Sequence, residues 1–217
     1  MLRRRYRTRP IIMPLPAWLE SGMAALKAYA HHPDPRVATA NFFALLVASN
    51  QPFYPLYFYW TVGPEIGPTV WTFLSTPFFL AVPAVARWNT VLGRALLPIA
   101  GIANTLLSAK VFGVASGVEI FLIPCAVLAL LIFRPSERWI AAFPLAGFCF
   151  LAYFLFHDAY GAPAHLYGAA EYAALLRLNM MSAAGLTACT ALVFSTLLAD
   201  AEAASGGNAP GGGIARD

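Results

Sequence analysis

Residues 104–133, NTLLSAKVFGVASGVEIFLIPCAVLALLIF, decide how this chain is read. One apolar run closes at Lys110, the glycines Gly113 and Gly117 punctuate a turn, and a second apolar run follows Glu119 as far as Phe133. Only those two charges interrupt the stretch, and both sit at its edges. Backbone amides in a hydrocarbon core of ~30 Å must be bonded within the chain, which a helix does by itself. The stretch therefore reads as the end of one membrane helix, a tight turn and the whole of the next.

The rest of the chain repeats that pattern. Across 217 residues, 59% are hydrophobic and 11% charged, against roughly a quarter charged in ordinary soluble domains. The length leaves room for about six spans of ~20 residues and little else, so no soluble catalytic domain is expected. Cys125, Cys149 and Cys189 fall inside apolar runs without CxxC spacing and read as packing residues. The opening MLRRRYRTRPIIMPLPAW starts like a signal peptide, but Pro10, Pro14 and Pro16 break its apolar run, so cleavage is not expected. Its arginines are expected to lie against anionic headgroups.

Taken in order, Leu15 to Tyr29 carries apolar residues at helical spacing and predicts an interfacial amphipathic helix. Spans are predicted over about Val37–Trp60, Thr69–Ala86, Val91–Lys110, Val118–Phe133, Ile140–Phe156 and Ala173–Leu198. Asn50-Gln51-Pro52 and Pro55 interrupt the first, where lost amide donors predict a kink or break whose freed carbonyls the polar pair would satisfy. The expected fold class is all-α, a polytopic membrane bundle of six transmembrane helices preceded by the interfacial helix. Its divisions are a basic N-terminal segment over 1–36, the membrane domain over 37–203 and a flexible cytoplasmic tail over 204–217.

Of the 14 Lys and Arg residues, the N-terminal cluster, Arg36, Arg87, Arg94, Arg134, Arg138 and Arg216 sort to one side of this layout. Lys110 and Arg177 fall on or near the other. Positive charge collects on the cytoplasmic face, so both termini are expected there. Trp60, Trp71, Trp88 and Trp139 fall near the predicted span ends, where amphipathic rings settle.

Away from the basic face stand Glu65, Lys110, Glu119, His157, Asp158, His165, Glu171 and Arg177. Ionisable groups at membrane depth are costly and point to function, and Arg177, a turn inside the last span, is expected to face Glu119 or Asp158. The candidate ligand-binding set is Lys110, Glu119, Asp158, Arg177, His157, Glu65 and Asn104. A plainer reading stands beside it: Glu119 gains from a helix N-terminus, Lys110 can snorkel, and loops ordinarily carry acids and histidines. Asn41, Asn50, Gln51, Asn104 and Asn179 are expected chiefly to join helices. No metal-ligand spacing, catalytic triad, paired-carboxylate helix or nucleotide loop is found, so neither a cofactor nor a bound metal nor an enzymatic activity is expected.

Asn104, Gly113, Ser116-Gly117 and Glu119-Ile120-Phe121-Leu122, with Asn179 and the exit Leu197-Leu198-Ala199-Asp200-Ala201-Glu202-Ala203, carry a resemblance. Over about Val37 to Ala203 the chain resembles the six-helix N-terminal membrane modules of bacterial receptor-type adenylate cyclases, histidine kinases and diguanylate cyclases. In those proteins the last helix continues into a cytoplasmic output domain. Here the exit meets glycine after Ser205 without a cyclase, kinase or GGDEF-type segment. The resemblance thus implies a sensor acting on a separate effector, regulating a homologous receptor, or left by a truncated gene. The expected function is a bacterial inner-membrane sensory module that binds a small or lipophilic ligand on its non-cytoplasmic side. Its expected partners are the lipid bilayer and such a receptor or effector, in a homo- or hetero-oligomer and without nucleic acid. The alternative is a small-solute transporter or permease component, motivated by the broken first span.

Overall fold

Short polar residues and glycines set the ends of the helices. The structure, a computed structural model, describes residues 16–206; the expected N-terminal arginine cluster and the tail beyond 206 lie outside them. Asp34 caps α2 (Pro35–Asn50) by accepting from the Arg36 amide at 2.9 Å, and Asn89 caps α5 (Thr90–Phe112) by accepting from the amides of Val91 and Leu92, each at 3.0 Å. Both side chains satisfy donors that a helix start leaves open. Gly113, at φ +83°, ends α5, and Gly117, at φ +67°, completes the turn, a conformation that glycine adopts without steric cost.

The remaining helices are α1 (Ala17–Ala30), α3 (Tyr54–Thr61), α4 (Thr76–Trp88), α6 (Leu122–Ile132), α7 (Phe143–Phe156) and α8 (Ala169–Gly206). Tighter turns extend several of them. A 3-10 turn at Gln51–Phe53 joins α2 to α3, a 3-10 run over Gly67–Ser75 leads into α4, and another over Val118–Phe121 leads into α6. No strand occurs among the described residues. Four continuous helical stretches, Gly67–Trp88, Thr90–Phe112, Pro135–Phe156 and Ala169–Ser205, are long and apolar enough to cross a membrane. Their outward surfaces carry Phe78, Phe150, Phe154, Met181 and Leu192 in exposed positions, so this is the fold of a membrane protein, with lipid as the solvent of those faces.

At the break after Asn50 the structure departs from expectation. The predicted polar pair does not turn back on its own helix: Gln51 donates from Nε2 to the Thr72 carbonyl at 3.0 Å and to Ser75 Oγ at 2.6 Å, while its oxygen accepts from Thr76 Oγ1 at 2.5 Å. Ser75 in turn donates to Asn104 Oδ1 at 2.8 Å. The break is thereby tied to α4 and α5. The last helix likewise exceeds its predicted end, running through Ala204, Ser205 and Gly206 where a tail is expected from 204.

Contacts gather the chain reversals into two ends. At the basic end the Arg36 guanidinium donates to the carbonyls of Leu131 and Phe133, Arg134 pairs with Asp34, and Arg87 lies 4.9 Å over the Tyr29 ring of α1. Arg94 is the exception to a solvated basic turn. It is 1% exposed inside α5, its guanidinium is forked onto both oxygens of Glu137 at 2.7 Å, and it donates to the Ile132 carbonyl at 2.9 Å. At the other end Phe58, Phe112, Tyr167 and Leu175 pack with Val111 into one apolar cluster. Between these ends runs the main core of Phe43, Phe79, Val82, Leu97, Leu128 and Ile132.

Candidate functional site

The turn at Gly113–Gly117 and the 157–168 loop meet beside α8. Lys110, the last charge of α5, donates from Nζ to the carbonyls of Tyr160 at 2.7 Å and Ala162 at 2.8 Å, fixing the loop. Asn179 of α8 is buried and donates to the Ser116 carbonyl at 2.9 Å, fixing the turn. A methyl at Gly117 would lie 2.2 Å from Leu176 Cδ1 of α8, so turn and helix are in direct contact.

Glu119 lies at this junction, in the 3-10 start of the α6 stretch. Its carboxylate is 7% exposed, and Oε2 meets His157 Nδ1 at 2.6 Å. The other oxygen, Oε1, is buried, and the buried Tyr160 hydroxyl lies against this carboxyl. Burial first, and then the charge of Glu119 facing it, push the Tyr160 phenol well above its usual range. Each of these two buried polar groups thus has the other beside it.

From Glu119 an apolar groove of about 630 Å³ runs between α6, α7 and α8, walled by Ile120, Ile123, Val127, Phe150, Tyr153 and Met180. Its size falls within the ~300–1,000 Å³ of ordinary ligand pockets. The His157 ring rests on Tyr153 with centroids 4.8 Å apart, so the polar group and the apolar wall are held by one helix end. The arrangement suits an amphiphile, with hydrogen bonding confined to the head of the groove and dispersion along its length.

Of the predicted site residues, the structure brings Lys110, Glu119 and His157 to this junction. Arg177 and Asp158 are exposed, and neither takes part in an ion pair among the described residues; Glu119 has His157 where Arg177 is expected. The reason is geometric: α8 turns Leu176 and Met180 to the groove and Asn179 to the Ser116 carbonyl, leaving Arg177 on the outer side. Glu65 is exposed, and only its carbonyl is engaged, by the Tyr167 hydroxyl at 3.5 Å. That phenol is pushed up to about 12, first by burial and then by Tyr172, Glu171 and Glu65. Asn104 lies apart, in a shallower groove of about 220 Å³ between α4 and α5. Tyr160 escaped the sequence reading, although its position three residues after His157 in a tight turn places both on one side.

No protein-family model, no curated protein and no solved structure matches this chain.

Proposed function

We propose that this chain is a sensory module of a bacterial inner membrane. It crosses the bilayer six times with both termini in the cytoplasm, binds a small or lipophilic ligand near the non-cytoplasmic face, and passes the displacement of α8 to a separate effector or a homologous receptor. Two further stretches complete the spans. The joined helices over 35–61 reach ~40 Å at 1.5 Å per residue. Val118–Ile132 reaches only ~25 Å, four of its residues being 3-10 at ~2 Å each, a shortfall that local bilayer thinning absorbs. The short α1, tied to the basic end through Tyr29, takes the interfacial position.

One observation carries the sensory reading: a groove headed by the buried Glu119 carboxylate is walled on one side by α8, and α8 is 38 residues long. At 1.5 Å per residue it spans ~57 Å, about twice the hydrocarbon core. Anything seated between Ile120, Tyr153 and Met180 therefore bears on a rod that protrudes far from the site. The transport reading keeps its broken helix at Gln51–Phe53, but the amide of Gln51 there is engaged at both its nitrogen and its oxygen.

Hydrogen–deuterium exchange of the purified protein in lipid nanodiscs, with and without fractions of a bacterial lipid extract, tests the reading. At least one fraction is expected to change amide protection in α8 beyond Leu192. Protection there that is indifferent to every fraction would sink it.

A further inference from the structure

Five side-chain amides lie within the expected spans, and four of them join parts of this chain to one another. Asn41 donates to the Ala30 carbonyl, Gln51 to the Thr72 carbonyl and Ser75, Asn104 accepts from Ser75, and Asn179 donates to the Ser116 carbonyl. Asn50 differs. Its side chain is exposed at the end of α2 and completes no hydrogen bond among the described residues, not even as the cap of the 3-10 turn that follows it.

Depth gives this weight, an inference that rests on the six-span reading of the 35–61 stretch. Asn50 stands ~22 Å along the chain from Pro35 at the basic end and ~17 Å from Thr61 at the other, at 1.5 Å per residue. It therefore lies near the middle of a hydrocarbon core ~30 Å thick, where no water completes an amide and polar side chains bond between helices instead. Lipids carry their polar groups in the headgroup layers, out of reach of this depth. The surface around Asn50 is apolar: Phe42 and Leu46 stand in a row with it at four-residue spacing, Phe53 and the stacked Tyr57 continue the row past the break, and all four are exposed.

An amide holds both donors and an acceptor, so it is its own complement. A second copy inserted in the same direction brings its Asn50 to the same depth, and a twofold axis along the membrane normal sets the two amides face to face. We propose that two copies of this chain pair through the exposed face of α2, each Asn50 donating from Nδ2 to Oδ1 of the other, with Phe42, Leu46 and Phe53 packed around the pair.

The test counts subunits. With Cys125, Cys149 and Cys189 replaced, protein labelled with one fluorophore at D200C is diluted into phosphatidylcholine liposomes and its photobleaching steps are recorded. Two-step particles are expected to predominate and to give way to one-step particles as protein is diluted. N50V is expected to raise the dissociation constant about tenfold, the effect of losing two interhelical hydrogen bonds at about threefold each, while N50Q, which keeps the amide, changes it by no more than about threefold. The melting temperature of monomeric N50V is expected to match that of the monomeric parent, because the Asn50 side chain bonds to nothing within the chain. Under a membrane-permeant oxidant N50C is expected to form an intermolecular disulfide, and F154C, exposed on α7, to form none. One-step particles at every dilution, N50V dimers as tight as the parent's, or N50C cross-linking no better than F154C overturns the interface. The exposed positions His31 and Glu65 flank the stretch and report the span separately. Maleimide labelling of H31C and E65C from opposite sides, with dimers indifferent to N50V, would refute the interface and leave the six-span reading standing. Labelling of both from one side would refute the span, and with it the depth on which the pairing depends.

Discussion

Arg94 shows how much one side chain can hold. Its guanidinium joins α5 to Glu137, whose Oε2 also accepts from the Arg134 amide at 2.7 Å, and to the end of α6 through Ile132. E137Q removes the anion and leaves a buried cation with carbonyl partners alone. Broken buried pairs cost about 3–5 kcal/mol, and with Glu137 19% exposed the expected loss is near the lower figure, about 3 kcal/mol. The R94M/E137L double variant is expected to melt above E137Q, since an apolar pair leaves no charge uncompensated; a double variant that melts lower would refute this account. Asp34 offers a pH test. Burial alone would raise its pKa, but the hydrogen bonds from Arg134 and the Arg36 amide outweigh that and hold it below 3.8. Its ionised form therefore stabilises the fold above about pH 3.8, and that contribution is lost as pH falls through the depressed value. D34N keeps the cap and loses the charge, so its deficit should be no more than about 1 kcal/mol at pH 7. Thermal melts should show that deficit vanishing as the pH is taken well below 4, whereas a deficit constant with pH would mean that it does not come from the charge of Asp34.

Helices pack here through small residues, and one contact is tight enough to predict. A methyl at Gly93 would lie 2.4 Å from Ala86 Cα, backbone against which no rotamer gives way. G93A is expected to force α4 and α5 apart at the cost typical of overpacking, about 1–3 kcal/mol, read as a lower melting temperature. G147A, where the added methyl meets nothing within 4 Å, is expected to be neutral or better. The turn was legible from such local chemistry: Gly113 and Gly117 act where the sequence places it. The 3-10 run over Gly67–Ser75 was not, because its pattern repeats every three residues and not with the α-helical period of 3.6. Thr69, Thr72 and Ser75 recur every third residue; the hydroxyls of Thr69 and Thr72 donate to the carbonyl three residues earlier, and that of Ser75 is turned to Asn104 Oδ1. In a 3-10 helix such residues eclipse on one face, and that face is buried. Partners across the bundle were least legible. Which side α8 turns inward depends on Asn179 finding Ser116, and no periodicity within α8 announces it.

At the scale of the whole molecule, the charged side chains of the described residues gather at two ends of the bundle, and the ends are chemically different. One holds Arg36, Arg87, Arg94 and Arg134 against Asp34 and Glu137; the other holds Glu65, Lys110, Glu119, His157 and Asp158. Their separation was readable as charge counting, because lipid permits few places for charge; the pairing within each end was not. The asymmetry predicts an orientation that can be measured. In a background with Cys125, Cys149 and Cys189 replaced, single cysteines at the exposed positions Glu65, Ser136, Asp158 and Asp200 are probed with a membrane-impermeant maleimide. E65C and D158C are expected to label in spheroplasts, S136C and D200C only in inverted vesicles. The decisive comparison is D158C with D200C, since α8 lies between them: labelling from the same side would mean that α8 does not cross. A helix lying along the surface could not carry a signal from the Glu119 groove to the opposite face, so that one result would remove both the topology and the proposed route of transmission.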